Sequence, residues 1–461
     1  MSPFTREARR RGRAAVTVAR TALLLGAALC AGCRDGSEAG DNRSAPQPPA
    51  HGVSPAGFWF EARERSDVDL GHLGYAEGTR PALPDAPTGI ETLEPAASVP
   101  GWNLYCSGHA PEARLLDAEG RTRHVWSVDY ASLAGVPPLK HPTQRAWRRV
   151  RMLPDGGLLA LHEALVLLRL DADSRMRWSV GLGAHHDFDI DADGNVHLLT
   201  RRAVEHPSIA AGRTIVDDGV AVVSPTGEVL RQASLLEALA SSPWAYLLEE
   251  AAQQPNGREI DPGDGLARDL LHVNSYALLG ADAAQYVGAP EGVFRPGRAL
   301  ICMREVDCLA VLDLDEGRIV WLWRGAVDGP HDPEFDPATG LVWVFDNGLH
   351  RGWSRALAVD VATGREVRQW PASPDLRFHS EVCGALQLLP GGNLLLTEST
   401  AGRAFEVTDA GRVVWSFGSP HRVAGPNGPL VGCLFELERI PVEDVPAGLR
   451  AAPASAPQPQ K

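Results

Sequence analysis

A β-hairpin pattern recurs along most of this 461-residue chain. Short apolar runs flank turns rich in Asp, Pro and Gly, as in ARLLDAEGRTRHVWSV from Ala113 and HDPEFDPATGLVWVF from His331. Each unit predicts two antiparallel strands joined by a tight turn, and two successive units predict a four-stranded sheet. The units pair into five such sheets, at residues 148–181, 186–235, 272–324, 331–371 and 379–418.

One unit is left over at each end of this series. The early hairpin from Ala113 and the late segment GCLFELERIP, Gly432–Pro441, fit together as one further sheet. Joining the two ends closes a ring and leaves no unpaired edge strand. The sequence therefore predicts an all-β fold, a six-bladed β-propeller, because the blade-length repeat argues against the rival β-sandwich. The tryptophans at strand ends are expected to pack between blades: Trp126, Trp178, Trp323, Trp343 and Trp415.

One insertion interrupts the repeat within the third predicted blade. The segment LLEALASSPWAYLLEEAAQQPNGREIDPGDG, residues 235–265, has apolar residues at helical spacing. We expect it to form a helical cap on one face of the ring, with a lid over the site as the alternative.

The two ends of the chain differ in composition from the repeats. Five arginines up to Arg13 precede the apolar run Thr21–Cys33, which is too short for a confident membrane span and ends in the lipobox-like CAGC. We expect a lipoprotein with lipidation at Cys33; a plain secretory signal and an uncleaved anchor are the alternatives, and all three export the domain. The predicted organisation is a signal segment at 1–33, a flexible tether at 34–57, the propeller at 58–445 and a disordered tail at 446–461.

The net charge argues against one class of partner, and the number of cysteines limits how they can pair. The net charge is −14, and no basic block occurs beyond the N-terminus, which argues against a nucleic-acid partner. Two of the seven cysteines lie in the signal segment, and five lie in the predicted propeller. Because five is an odd number, at least one of these thiols is expected to be free, and the spacing does not give the pairing of the others.

Histidines stand near the start of four predicted innermost strands: His186, His272, His331 and His379. Innermost strands of a propeller line its central channel, so we expect these imidazoles to converge at one end of it. Imidazole is a common metal ligand, but clear carboxylate or thiolate partners are lacking. Asn274 and Arg304 belong to the same blade as His272, and a guanidinium suits an anion better than a metal. The cluster therefore predicts an anion-handling site without a metal.

A second metal candidate is the segment DFDIDADGN, Asp187–Asn195, which resembles a calcium-binding loop. Thr200 stands where such a loop has its bidentate glutamate. Turn chemistry explains these aspartates without an ion, so no calcium site is predicted.

The order of several segments resembles that of the arylsulfotransferase family of secreted bacterial enzymes, which move a sulfuryl group from a phenol sulfate ester to another phenol without a phosphoadenosyl donor. The resemblance covers residues 100–441 and implies a six-bladed propeller. The segments that carry it are AHHDFDIDADGNVHLLTR, HVNS, ICMREVDCLAVLDLDEGRIVWLW, GPHDPEFDPATGLVWVFDNG and RFHSEVCGALQLLPGGNLLLTESTAGRAFEVT.

The resemblance implies a catalytic role for individual residues. His331 resembles the histidine that is transiently sulfated, and Arg304 resembles the sulfate-binding arginine. His272 and Asn274 match the acid/base and orienting groups of the HxN motif. Together these residues imply a sulfohistidine intermediate and transfer without a cofactor.

Two further histidines are implied to contact substrate. The early family histidine falls on the pair His185–His186; His186 is favoured as the catalytic member and His185 is expected to bind substrate. His379 lies in a recurring family segment and is also expected to bind substrate, with no firm role in the chemistry.

The implied partners are a small phenolic sulfate donor, a phenol acceptor and the membrane, through the lipid anchor of an exported protein in the cell envelope. Known members carry an extra N-terminal β-domain that is often used in dimer contacts; here it is missing or minimal, so a homodimer stays an open expectation. The cysteine pair found near some family active sites is not recognisable either. Two alternatives remain at this stage: a non-catalytic lipid-anchored binding or scaffold propeller, and a quinone-dependent dehydrogenase.

Overall fold

The structure is a computed structural model, and it describes residues 63–65, 78–83, 86–136, 146–163, 165–210, 214–253, 268–371 and 373–451. All of these belong to one structural unit, residues 44–461. The signal segment predicted at 1–33 with Cys33, and the tether predicted at 34–57, lie outside the described residues. Within the described ranges, no helix has both the length and the apolar character needed to cross a membrane.

Six four-stranded antiparallel sheets make up most of the described chain. From the innermost strand outwards, sheet 1 comprises Leu434–Ile440, Trp102–Ser107, Glu112–Leu116 and Thr122–Ser127, and sheet 2 comprises Trp147–Met152, Leu158–His162, Val166–Leu170 and Met176–Val180. In the same order, sheet 3 comprises Ala184–Ile190, Val196–Glu205, Thr214–Val223 and Val229–Ser234, and sheet 4 comprises Val273–Leu278, Ala299–Met303, Cys308–Asp313 and Arg318–Arg324. Sheet 5 comprises Pro330–Asp336, Leu341–Asp346, Arg355–Asp360 and Arg365–Trp370, and sheet 6 comprises Ala385–Leu388, Leu394–Glu398, Arg403–Val407 and Val413–Gly418.

Shorter elements extend these sheets. Gly89–Leu93 is a fifth strand on sheet 6, and Arg63–Glu64 pairs with the second strand of sheet 3. A small three-stranded sheet consists of Gly78–Pro81, Gly428–Gly432 and Arg422–Gly425. The α-helices are Pro207–Ala210, Leu235–Ala240, Tyr246–Gln253 and Ala447–Ala451, and the 3-10 helices are Tyr130–Ser132, Ala281–Gln285, Arg304–Val306, Pro374–Leu376, Pro390–Gly392, Ser399–Ala401 and Val442–Asp444.

A separate cluster of buried apolar side chains fills the space between each pair of neighbouring sheets. One pair of residues illustrates each cluster: Trp126 with Trp147, Leu161 with Phe188, Leu199 with Ile301, Leu309 with Val344, Phe345 with Leu396, and Trp415 with Tyr105. The innermost strands contact one another in the same cyclic order, and sheet 6 returns to sheet 1. This arrangement is a β-propeller, as predicted, and the six sheets are consistent with the six predicted blades.

Tryptophans tie neighbouring sheets together. Four of the five predicted interblade tryptophans are buried, and Trp178 is half-buried. Outer-strand indoles donate their N–H to a carbonyl oxygen in a turn of the next sheet: Trp178 to Pro225 at 2.9 Å, Trp323 to Gly364 at 2.8 Å and Trp370 to Gly411 at 3.0 Å. Each ring therefore fills the space between sheets without leaving its polar atom unpaired.

Sheet 1 combines an early and a late segment of the chain. The late strand Leu434–Ile440 pairs with Trp102–Ser107, which leads into the hairpin predicted from Ala113. The sequence pattern predicted the sharing of this sheet but did not reveal the strand Trp102–Ser107.

Two helices occupy the described part of the insertion predicted at 235–265. Ser234 caps the first of them, because its Oγ accepts a hydrogen bond from the backbone N–H of Glu237 at 3.1 Å. Leu239 and Leu248 are buried in the cluster between sheets 3 and 4. The strand Arg268–Asp269 then returns to sheet 3, where it pairs in parallel with Thr214–Val223.

The first six residues of the predicted disordered tail are ordered. Residues 446–451 include the helix Ala447–Ala451, and Leu449 is buried in the cluster between sheets 1 and 2. The prediction of disorder was therefore wrong for these six residues, and residues 452–461 lie outside the described part of the chain.

All five cysteines of the propeller are buried free thiols: Cys106, Cys302, Cys308, Cys383 and Cys433. This agrees with the expectation that at least one thiol is free.

Candidate active site

Equivalent positions on five innermost strands converge at one cavity. The residues that open the hairpin turns of sheets 2 to 6 are Leu153, Asp191, Leu279, Asp336 and Leu389. The residues five positions earlier are Arg148, His186, Asn274, His331 and Gly384. All five line a cavity of about 20 Å³, here called the central cavity, together with Arg149, Asp187, Ser275, Asp332 and Phe435.

The predicted equivalence of the four histidines is wrong for two of them. His186 and His331 occupy the shared position, but His272 lies two residues before it and His379 lies five residues before it. Hydrogen bonds between sheets support this register: Asp187 accepts from the backbone N–H of Tyr276, and Asp332 accepts from that of Leu386. The predicted equivalence fails because the turns that follow these strands differ in length.

Hydrogen bonds fix the tautomer of His331. Its Nδ1 lies 3.0 Å from the carbonyl oxygen of Gly329 and 2.7 Å from Oδ1 of Asn347. Both partners are acceptors, because the amide nitrogen of Asn347 is used as a donor to the carbonyl oxygens of Ser380, at 2.7 Å, and Cys383, at 2.5 Å. The proton of a neutral His331 therefore sits on Nδ1, and Nε2 keeps its lone pair.

Asn274 positions the strand that carries His331. Its amide nitrogen donates to the carbonyl oxygen of Pro330 at 2.9 Å, and its Oδ1 accepts from Ser275 at 3.1 Å. The hydroxyl of Ser275 in turn accepts the backbone N–H of Asp332 at 2.8 Å. These contacts hold the residues on both sides of His331.

His272 and His186 are in direct contact. Their Nε2 atoms are 3.2 Å apart, and both side chains are buried. Nδ1 of His272 lies 2.5 Å from Oδ2 of Asp269, whose other oxygen accepts the backbone N–H of His272. The carboxylate of Asp269 orients the imidazole through Nδ1, so Nε2 is the nitrogen of His272 that faces His186. Asp269 was not singled out from the sequence.

His185 lies behind His186 in a buried polar cluster. The Nδ1 atoms of the two histidines are 2.9 Å apart, and Nε2 of His185 lies 3.2 Å from Asp218. Burial and the positive charge of Arg201 lower the pKa of His185 to about 3. His185 does not line the central cavity, so of the pair it is His186 that reaches it.

Glu163, His185 and His186 are close enough together to hold a metal ion. Arg201 already donates to Oε1 of Glu163 at 2.9 Å, and the second oxygen of this carboxylate accepts the backbone N–H of His186 at 2.8 Å. A guanidinium on the carboxylate disfavours a cation at this position.

A positively charged side chain that the sequence analysis missed, that of Arg148, lines the central cavity. Arg148 is buried, donates to the sulfur of Cys383 at 2.8 Å and lies over the ring of Phe435. The pKa of His186 is well below its usual range, because of burial and then the charge of Arg148. Counting back from the turn at Leu153 would have identified Arg148.

Arg304 lies near His331 but does not line the central cavity. Its backbone N–H donates to the carbonyl oxygen of His272 at 3.2 Å, and its guanidinium pairs with Glu305. Burial and the charges of Arg304 and Arg148 lower the pKa of His331 well below its usual range. His331 is therefore neutral at physiological pH.

An ion network adjoins the central cavity along the channel. The guanidinium of Arg149 contacts carboxylates from three different sheets: Asp187 at 2.8 Å, Asp332 at 3.2 Å and Glu436 at 2.9 Å. One side chain thus links sheets 2, 3, 5 and 1 at the middle of the ring.

His379 lies at a different cavity. It lines a larger cavity of about 630 Å³ beside sheet 6, and it is not among the residues of the central cavity. The structure thus places His186 and His331 at the central cavity and His272 against His186 outside its lining, and it leaves His379 apart from them.

A further group of potential ligands, His109, Glu112 and His421, lies between sheets 1 and 6. Glu112 is bound by His109 at 2.9 Å and by Arg114 at 2.6 Å, and the two imidazole rings are stacked with centroids 3.5 Å apart. Parallel stacked rings do not direct their lone pairs at one point, so the arrangement does not suit a metal.

The model of the family described as arylsulfotransferase (ASST) matches residues 149–419, which is more than half of the chain. The protein belongs to the arylsulfotransferase family. This match contains the residues discussed above from His186 to His379, while Arg148 precedes it by one residue. A search of curated proteins found no significant match.

Solved structures similar to this arylsulfotransferase family member are distant. A protein of unknown function from Bacteroides caccae is 13% identical, with 69% of this chain and 93% of that chain covered and a TM-score of 0.42. A virginiamycin B lyase from Staphylococcus aureus is 12% identical, with 77% and 87% covered and a TM-score of 0.38. The Dos1 propeller is 11% identical, with 72% and 75% covered and a TM-score of 0.36.

Proposed function

We propose that this chain is an exported aryl-sulfate sulfotransferase that works through a sulfated His331. One observation carries the proposal: the Nδ1 proton of His331 is held by Gly329 and Asn347, so Nε2 keeps its lone pair in a residue that lines a cavity with Arg148 and His186. A nucleophile with a fixed lone pair beside a cation is what attack on a sulfate ester requires.

In the first half-reaction, Nε2 of His331 attacks the sulfur of an aryl sulfate. The N–S bond forms while the bond between sulfur and the phenolic oxygen breaks, with charge spread over the sulfuryl oxygens as in phosphoryl transfer. Arg148 and His186 stabilise that charge from equivalent positions in neighbouring sheets. The guanidinium of Arg304, near His331, adds to the positive electrostatic potential at the site. No cofactor is required.

Proton transfer falls to His272. His272, oriented by Asp269, protonates the departing phenolate. In the second half-reaction His272 takes the proton of an acceptor phenol, whose oxygen attacks sulfur and releases Nε2 of His331.

Export and membrane anchoring through Cys33 are part of the proposal. They are supported by the basic, apolar and CAGC segments at the start of the sequence.

The deciding experiment measures release of nitrophenol from 4-nitrophenyl sulfate by the full chain, with and without an added phenol. Release should increase with phenol concentration and be abolished in His331→Ala. Denatured wild-type protein that was mixed with the donor alone should carry one sulfuryl group on the peptide containing His331.

The matched control is His350→Ala, because the side chain of His350 is 93% exposed in the loop that follows the second strand of sheet 5. It should retain wild-type transfer. Full activity in His331→Ala, or no release by folded wild type across a panel of aryl sulfates, would reject the transferase in favour of a binding propeller.

A further inference from the structure

A second, larger cavity lies between sheet 6 and the small three-stranded sheet. It has a volume of about 630 Å³, which is the size of a small-molecule site. Four arginines line it, and we call it the arginine cavity: Arg80, Arg377, Arg403 and Arg422. Such a concentration of cations is unexpected in a chain with a net charge of −14.

The positive charge of this cavity is only partly neutralised. The carboxylate of Glu398 pairs with Arg403 and lies 3.8 Å from Arg80. Among the described residues, no carboxylate forms an ion pair with Arg377 or Arg422. Arg422 donates to backbone carbonyl oxygens, and Arg377 lies over the ring of Trp353. Glu91 also lines the cavity, so its four arginines face two carboxylates, and Arg377 and Arg422 are the two that pair with no described carboxylate.

His379 also lines this cavity. Nε2 of His379 is buried and, in the described part of the chain, makes no hydrogen bond. An unpaired buried nitrogen is costly unless a ligand group satisfies it. Leu83, Trp353 and Val431 add apolar surface to the same lining. The cavity thus presents cations, a histidine and an apolar wall together.

We propose that the arginine cavity binds an aromatic compound through an anionic substituent, a carboxylate or sulfonate. Arg377 and Arg422 bind the anionic group, His379 completes its hydrogen bonds, and the apolar wall covers the ring. Only the aromatic character of the ligand rests on the proposed function. If that function holds, the ligand in the cell is a phenol or aryl sulfate that carries a second negative charge.

One short segment joins this cavity to His331. Phe378 and His379 line the arginine cavity, and Gly384, at the other end of the segment, lines the central cavity. Between them, the carbonyl oxygens of Ser380 and Cys383 accept the amide hydrogens of Asn347, which orients His331. A ligand bound at His379 therefore acts on the segment that holds the nucleophile.

Binding is tested with naphthalene-2-sulfonate, whose C–S bond excludes it as a sulfuryl donor, and with the neutral naphthalene-2-methanol. Calorimetry on the full chain should show the sulfonate binding and the alcohol binding at least about tenfold more weakly, the effect of one lost charge-assisted contact. The double variant Arg377→Gln/Arg422→Gln should lose at least about tenfold in sulfonate affinity. Arg365→Gln, an exposed arginine outside the cavity, should bind as wild type does.

Two more variants separate this site from the catalytic one. Arg148→Gln and His331→Ala should both retain sulfonate binding, so a protein without transferase activity can still support the proposal. Binding that is lost in Arg148→Gln and kept in the double variant would assign the sulfonate to the central cavity and overturn the proposal. Absence of sulfonate binding by wild type would overturn it as well.

Discussion

Oδ1 of Asn347 lies 2.7 Å from Nδ1 of His331, and this contact determines which nitrogen of the imidazole is free to react. The orientation of the Asn347 amide is itself set by the carbonyl oxygens of Ser380 and Cys383. Whether Nε2 of His331 keeps its lone pair therefore depends on residues 380–383, which precede the first strand of sheet 6.

Replacing Asn347 should impair the chemical step more than substrate binding. In Asn347→Ala the Nδ1 proton loses one acceptor and the imidazole can rotate, so kcat should fall about 100-fold with little change in KM. Steady-state kinetics with 4-nitrophenyl sulfate and phenol measures this. Asn393→Ala, which removes an asparagine bound to Ala97 and Glu406 elsewhere, should leave kcat unchanged. A rise in KM alone would contradict the role given to Asn347.

The contribution of the Asp269–His272 pair to the transfer rate should increase with the basicity of the leaving phenolate. Asp269→Asn removes the carboxylate that orients His272 as proton donor to the leaving group, so transfer from phenyl sulfate should slow about 100-fold. Transfer from 4-nitrophenyl sulfate, whose phenolate leaves without much help, should slow less than about tenfold. Rates with a series of substituted phenyl sulfates test this, and an equal loss across the series would show that Asp269 acts only in folding.

Much of this architecture was predictable, and only some of the failures have a physical reason. Alternating apolar residues around Gly-containing turns revealed the blades because side chains of a strand alternate between faces. Gly108 and Pro111 do separate the strand Trp102–Ser107 from the next strand, so a hairpin was readable at this point and was missed. The equivalence of His272 was misjudged because turn lengths differ between sheets. Asn347 acts through contacts with the distant residues Ser380 and Cys383, which a single sequence does not show. Asp269 lies only three residues before His272, so its pairing was within reach of sequence reasoning and was overlooked.

Arg148 should bind the sulfuryl group directly. Arg148→Gln should raise the KM for 4-nitrophenyl sulfate and weaken inhibition by inorganic sulfate, each by about tenfold, since one charge-assisted contact is lost. Arg148→Lys should recover part of the effect by keeping the charge. Equal inhibition by sulfate in wild type and Arg148→Gln would contradict this assignment.

Formation of the sulfated enzyme should persist into mild acid. Burial and the charges of Arg304 and Arg148 lower the pKa of His331, so its Nε2 stays unprotonated below the ordinary range of histidine. The single-turnover burst of nitrophenol should therefore not decline between pH 7.5 and pH 5.5. A histidine with an ordinary pKa of about 6.5 would lose about tenfold at the lower pH through protonation. Such a decline would contradict the environment described for His331.

Arg149 should stabilise the ring chiefly at neutral and alkaline pH. Arg149→Met leaves the carboxylates of Asp187, Asp332 and Glu436 without their shared cation, so the free energy of unfolding should fall by about 3–5 kcal/mol.

Burial already raises the pKa of Asp187 to about 7, against the opposing effect of Arg149, and burial also raises the pKa of Asp332. A carboxyl whose pKa in the folded protein exceeds its unfolded value destabilises the fold above the folded pKa, and this penalty is relieved as pH falls through it. The difference in Tm between wild type and Arg149→Met should therefore be largest near pH 8 and become smaller toward pH 5. Arg175→Met, which breaks only an exposed pair with Asp173, should shift Tm little at any pH. A Tm difference independent of pH would show that the loss comes from packing rather than from unpaired carboxylates.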